Sequence, residues 1–81
     1  MTPDEIRALA LDLLGSIAPE ANLAALGEDE GLREALDLDS MDFLNFVVAL
    51  HKATGIDIPE ADYRQLATLA GIQRYLGNRG K

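Results

Sequence analysis

Three features of this sequence are of types that do chemistry: Ser40 between Asp39 and Asp42, the single histidine His51, and the alternating carboxylates Asp37, Asp39 and Asp42. Ser40 and His51 lie eleven residues apart on what reads as one helix, so about 16 Å of axial rise separates them. A nucleophile and its base need hydrogen-bond contact, so this pair cannot act as one, and His51 reads as a boundary residue. There is no cysteine, which removes a thiolate nucleophile, a disulfide framework and a thiolate metal site together. A calcium loop starting at Asp37 would need glycine at its sixth position and glutamate at its twelfth. Those positions hold Asp42 and Val48, and the calcium reading fails. Nothing here forms an autonomous active site. Ser40 keeps two readings: an ordinary helix N-cap, or a modified hydroxyl whose attached phosphodiester would meet the positive end of a helix dipole. Without a thiol of its own, the chain could do thioester chemistry only through an added group.

The elements that must position Ser40 are helical. Thr2-Pro3-Asp4-Glu5 is a capping box with proline at the first helical position. Ile6, Leu9, Ala10, Leu13, Leu14 and Ile17 then repeat as one apolar stripe, with Gly15 and Pro19 marking the fraying end. Residues 18–39 form a long connection punctuated by Leu23, Leu26, Leu32, Leu36 and Leu38. A loop of that length in so small a domain is functional or carries a short helical turn. A second helix starts at or just before Ser40, runs to Ala53 or Thr54, and stops at Gly55 as a left-handed C-cap. Ile56-Asp57-Ile58-Pro59 is extended, a short third helix covers about Glu60–Leu66, and Thr68 caps a fourth whose Leu69, Ile72, Tyr75 and Leu76 face inward. Gly77 is expected to end it, leaving 77–81 as a frayed tail. The fold class is all-α over one 81-residue domain, with no strands.

Charge narrows the partners. Fourteen acids face seven bases, for a net −7. Glu28, Asp29, Glu30, Glu34, Asp37, Asp39 and Asp42 stand against Arg33 alone, so residues 28–42 carry a net −6. Such a field repels phosphate backbones, which argues against nucleic acid, and favours partners presenting a basic patch. The chain opens on no long apolar run, so no signal peptide or membrane span is expected and a cytoplasmic location is the default expectation.

On a 100° wheel, Phe43, Leu44, Val47, Leu50 and Thr54 form the expected core arc of the second helix, with Phe46 and His51 at its margins. Met41, Asn45, Val48 and Lys52 lie roughly opposite, flanked by Asp42 and Ala49. Met41 and Val48 are thus apolar side chains on the solvent side. Isolated exposed apolar residues are common, but these two sit beside Ser40 and the acidic run, as a docking stripe would.

Leu38-Asp39-Ser40-Met41-Asp42, followed by Phe43-Leu44-Asn45-Phe46-Val47-Val48-Ala49-Leu50, resembles the Asp-Ser-Leu motif and second helix of acyl carrier proteins. Glu34-Ala35-Leu36 resembles that family's approach to the serine. Gly55-Ile56-Asp57-Ile58-Pro59, Thr68-Leu69 and Tyr75-Leu76 resemble its later segments, so the likeness spans essentially the whole chain. It implies a four-helix bundle with a short third helix and a long loop between the first two. The implied role is that of a non-enzymatic carrier, acting as a monomer. A phosphopantetheinyl transferase would move 4'-phosphopantetheine from coenzyme A onto Ser40, with Asp39 aiding recognition and Met41 adjoining the site. Acyl-loading and acyl-processing enzymes of fatty-acid, lipid or polyketide biosynthesis would then dock on Asp37, Asp42, Asn45, Val48 and Lys52.

The departures from the family pattern are informative. Asn45, His51, Lys52 and Ala53 stand where fatty-acid carriers have further acids, so the second helix is acidic only at its start. Met41 replaces the usual leucine, and Phe43 with Phe46 adds bulk that would reshape an internal acyl pocket. These changes suggest a specialised carrier. A peptidyl or aminoacyl carrier is the near rival, although that group tends toward Gly-Gly-x-Ser where this chain has Leu38-Asp39-Ser40. An unmodified helical interaction module is the rival from another class, and it would have no need of Ser40.

Overall fold

A computed structural model describes residues 2–79, and among these every regular element is helical. In chain order they are α1 (Pro3–Ile17), a single 3₁₀ turn (Leu23–Ala25), α2 (Leu32–Ala35), α3 (Ser40–Thr54), a 3₁₀ helix (Glu60–Leu66) and α4 (Leu69–Arg79). The start of α1 follows directly from its first residues. The Thr2 hydroxyl accepts from the Glu5 N–H at 3.1 Å, and the Thr2 N–H donates to Glu5 Oε1 at 2.8 Å. The Thr2 N–H donated to the carboxyl, followed by the Thr2 hydroxyl beside it, holds the Glu5 carboxyl below the usual glutamate range. The support the charged form gives the cap is therefore kept at neutral pH and lost as pH falls through that lowered value.

The first-helix stripe closes on the other helices as its spacing requires. Ile6, Ala10 and Leu14 are buried, and Leu9, Leu13 and Ile17 flank them half-buried. α1 packs chiefly on α4 and on α3. The core is completed by Phe46, Val47 and Leu50 from α3, Leu66 from the 3₁₀ helix, and Leu69, Ile72, Tyr75 and Leu76 from α4. Tyr75 is almost wholly buried, and its hydroxyl donates to Asp62 Oδ2 at 2.7 Å. A buried phenol needs such an acceptor.

The long connection holds two helical turns and is tied down. Leu26, Leu32 and Leu38 insert into the core, the Leu32 N–H donates to the Ala67 carbonyl at 2.8 Å, and the Ala70 N–H donates to the Glu28 carbonyl at 3.0 Å. Thr68 caps α4 by accepting from the Gly71 N–H at 3.0 Å. No side chain fits at Gly71, because a Cβ there would overlap the Gln65 carbonyl oxygen.

The expected short helix over Glu60–Leu66 is present, as a 3₁₀ helix. Two expectations need correction. Gly77 does not end α4, which continues to Arg79. Among the described residues only Gly55 and Asp37 have positive φ, so Gly77 lacks the left-handed turn that would stop a helix. Of the expected tail, Gly80 and Lys81 lie outside the described residues. The core arc of α3 is also rotated. Phe46, placed at its margin, is fully buried, whereas Leu44, placed within it, is 38% exposed. The buried face of α3 turns toward α1, its main partner, and leaves the Leu44 flank over an open cleft bordered by the 3₁₀ helix.

Candidate functional site

The site is built at the start of α3. Asp39 is the N-cap: its Oδ1 accepts from the Asp42 N–H at 2.8 Å, and its own N–H donates to Asp42 Oδ2 at 3.4 Å. This reciprocal box fixes the helix start without help from Ser40. The reading of Ser40 as the cap is therefore corrected: Ser40 is the first helical residue, and its exposed hydroxyl is spared from capping.

Upstream, α2 ends in a tight reversal. Asp37 adopts φ 53°, and the Leu38 N–H reaches back to the Arg33 carbonyl at 2.9 Å. That six-residue closure is the hydrogen bond of a Schellman-type helix end. It returns the chain toward α2 just before Ser40. The Arg33 guanidinium Nη2 consequently donates to Ser40 Oγ at 3.2 Å.

Beside Ser40 lies a cleft of about 480 Å³ between the start of α3 and the 3₁₀ helix. Met41, Phe43, Leu44 and Ala67 supply apolar surface, with Tyr63, and Arg33, Glu34, Glu60 and Arg64 add charge. Phe43 also meets Phe46 in a tilted ring contact, centroids 6.3 Å apart. A second hollow, bounded by Ile17, Leu36, Leu38 and Asp42, is larger but does not include Ser40.

The family model described as the phosphopantetheine attachment site matches residues 4–76. The chain is also 31% identical to the acyl carrier protein of Campylobacter hominis over 78 residues, covering 96% of this chain and 92% of that one. The chain belongs to the acyl carrier protein family. It is 29% identical to the acyl carrier protein of Chlamydia muridarum, over 94% of this chain and 92% of that one. With the acyl carrier protein of Thermosynechococcus vestitus the identity is 25%, over 94% and 88%.

Members of this family are carriers and not enzymes, and their prosthetic group is 4'-phosphopantetheine. The residues at the start of α3 fit such a group. An acyl carrier protein needs a free hydroxyl, and Ser40 offers one beside a cation and at the mouth of an apolar cleft. Ser16, the other serine of the sequence, points its hydroxyl back to the Asp12 carbonyl of α1 at 3.5 Å.

The structure brings Asp39, Ser40, Met41 and Asp42 together at one helix end, with Asp37 exposed just before them. Met41 is 63% exposed and Val48 40% exposed, and Asn45 and Lys52 are exposed along the same helix. Leu44 joins this apolar stripe, which the wheel did not show. His51 is exposed and sits at the far end of α3, where its Nδ1–H donates to the Ile56 carbonyl at 2.8 Å. Sequence reasoning passed over Arg33, Tyr63 and Arg64. For Arg33 a signal was present: it is the lone base of the acidic segment.

Proposed function

We propose that this protein carries acyl groups as thioesters on a 4'-phosphopantetheine arm attached to Ser40 and presents them to biosynthetic enzymes of fatty-acid, lipid or polyketide pathways. The observation that carries this reading is the exposed Ser40 hydroxyl at the first turn of α3, excused from capping by Asp39 and opening onto an apolar cleft. The arm supplies the thiol that this cysteine-free chain lacks. In attachment the Ser40 O–H bond breaks, an O–P bond forms, and adenosine 3',5'-bisphosphate leaves coenzyme A. The chain contributes the nucleophilic oxygen and the transferase the base, since the only histidine lies at the opposite end of α3. Met41, Phe43 and Leu44 give an acyl chain an apolar surface next to the attachment point. The reading treats the chain as one monomeric carrier domain working in the cytoplasm.

The decisive experiment is attachment itself. Apo protein incubated with coenzyme A and a broad-specificity phosphopantetheinyl transferase is expected to gain the mass of one arm. After trypsin, that mass belongs on the peptide Glu34–Lys52, whose single serine is Ser40. An unchanged mass with a transferase that modifies a control carrier, or a gain on the Ser16 peptide, would overturn the reading.

Partner docking is read from the same helix. Met41, Leu44 and Val48 form its apolar contact, Asp37, Asp39 and Asp42 supply negative charge at the Ser40 end, and Asn45 and Lys52 leave the remainder without it. A partner with a basic patch at the arm's entrance suits this distribution. Enzymes that require carboxylates along the whole helix are expected to bind weakly. The double change Asn45→Glu and Lys52→Glu is expected to tighten binding to such a fatty-acid synthesis enzyme by about tenfold at low salt, the equivalent of about 1.4 kcal/mol. NMR titration reads the affinity, and equal affinity of parent and variant would refute this account of docking.

A further inference from the structure

We propose that Arg33 is the positioning residue for the arm's phosphodiester, holding it against the mouth of the cleft between α3 and the 3₁₀ helix. This rests on the reading of Ser40 as the attachment point. The acids around Ser40 favour a cation beside a phosphodiester there. Asp39 and Asp42 both stand within one helical turn of its hydroxyl, and like charges at such separations repel. At the helix start the Asp42 N–H is already taken by Asp39 Oδ1 and the Phe43 N–H by the Asp39 carbonyl, so neither turns to the phosphodiester.

Arg33 is the only base among residues 28–42. It is not placed beside Ser40 by chance of a flexible side chain alone. The left-handed Asp37 and the Leu38 N–H to Arg33 carbonyl bond fix its backbone next to the residues leading into α3. Its Nη2 already contacts Ser40 Oγ at 3.2 Å, and among the described residues it forms no ion pair with a carboxylate. A phosphodiester on Oγ brings two non-bridging oxygens to the guanidinium, whose fork of donors matches them as an ammonium cannot. Arg33 also lines the cleft that Met41, Phe43 and Leu44 make apolar. A phosphate held by Arg33 therefore starts the arm along that cleft, where an acyl chain finds shelter.

The test uses the full chain converted to its arm-bearing form with coenzyme A and a transferase, and intact mass is measured first. A failure to gain mass counts against the Ser40 assignment and is distinguishable from a failure of this proposal. On the modified protein, the side-chain Nε–H resonance of Arg33 is expected to move between apo and arm-bearing forms. The ³¹P resonance is expected to differ between the parent and Arg33→Gln. Arg33→Lys should restore part of that difference, and raising ionic strength to about 1 M should shrink it, since screening there acts over about 3 Å. Arg74→Gln, which removes an equal charge from exposed α4 surface, should leave the phosphorus signal in place. The proposal is overturned if the ³¹P resonance is the same in parent and Arg33→Gln, or if Arg74→Gln moves it equally. It is overturned too if the Arg33 Nε–H resonance is unmoved by attachment. Backbone amide spectra of each variant show whether it keeps the parent fold.

Discussion

Replacement of Ser40 by alanine is expected to abolish arm attachment completely while leaving the stability of the fold within about 0.5 kcal/mol of the parent. The two halves of that expectation have separate physical origins. On the proposed reading attachment uses the Ser40 oxygen, and the other serine is poorly placed to substitute: Ser16 is on α1 with its hydroxyl against its own helix. Stability is spared because the helix start is secured by Asp39 and Asp42, leaving Ser40 with one exposed bond, from Arg33. Alanine is also the best helix former at such a position. The contrasting variant is Asp39→Ala. It removes the acceptor for the Asp42 N–H and half of the reciprocal box, a change that typically costs about 1 kcal/mol, while the Ser40 hydroxyl remains. Intact mass and urea unfolding on the two variants separate the roles. If Ser40→Ala costs as much stability as Asp39→Ala, Ser40 is itself a cap and the local structure is misread. If Ser40→Ala still gains an arm, the attachment point lies elsewhere.

What the sequence disclosed about this site follows from how local each signal is. The box at Thr2 and Glu5 and the left-handed Gly55 are settled within three or four residues, so residue types alone locate the ends of α1 and α3. Gly77 shows the opposite case, since the same residue type continues a helix when its φ is negative. The phase of α3 was hidden for another reason. Phe43, Leu44, Phe46, Val47, Val48, Ala49 and Leu50 make that helix apolar over most of its circumference. Its pattern therefore leaves the buried arc ambiguous, and the packing of α1 decides it. Arg33 illustrates a third limit. Its contact with Ser40 depends on a reversal at Asp37, a non-glycine residue in a left-handed conformation that composition gives little reason to expect. The serine and its acidic neighbours were legible. The cation facing them depended on backbone geometry.

The rotated phase of α3 has a measurable consequence in unfolding experiments. Phe46→Ala is expected to cost about 3–5 kcal/mol, the range for emptying a fully buried aromatic site. Phe46 has no exposed surface and also meets Phe43 ring to ring, so both its burial and that contact are lost. Domains of this kind are stable by only about 5–15 kcal/mol, so the loss is a large fraction of the total. Leu44→Ala removes a side chain that keeps 38% of its surface in water, and a cost of about 1 kcal/mol is expected. Urea titration reads both through the midpoint, with a preserved slope showing that the unfolded state has not changed. The wheel drawn from sequence alone predicts the reverse order, because it places Leu44 inside and Phe46 at the margin. Equal costs, or a larger one for Leu44, would return α3 to that orientation and bury the stripe proposed to meet partners. The observed orientation instead frees Leu44 to lie with Met41 and Val48 beside Ser40, at little expense to the core.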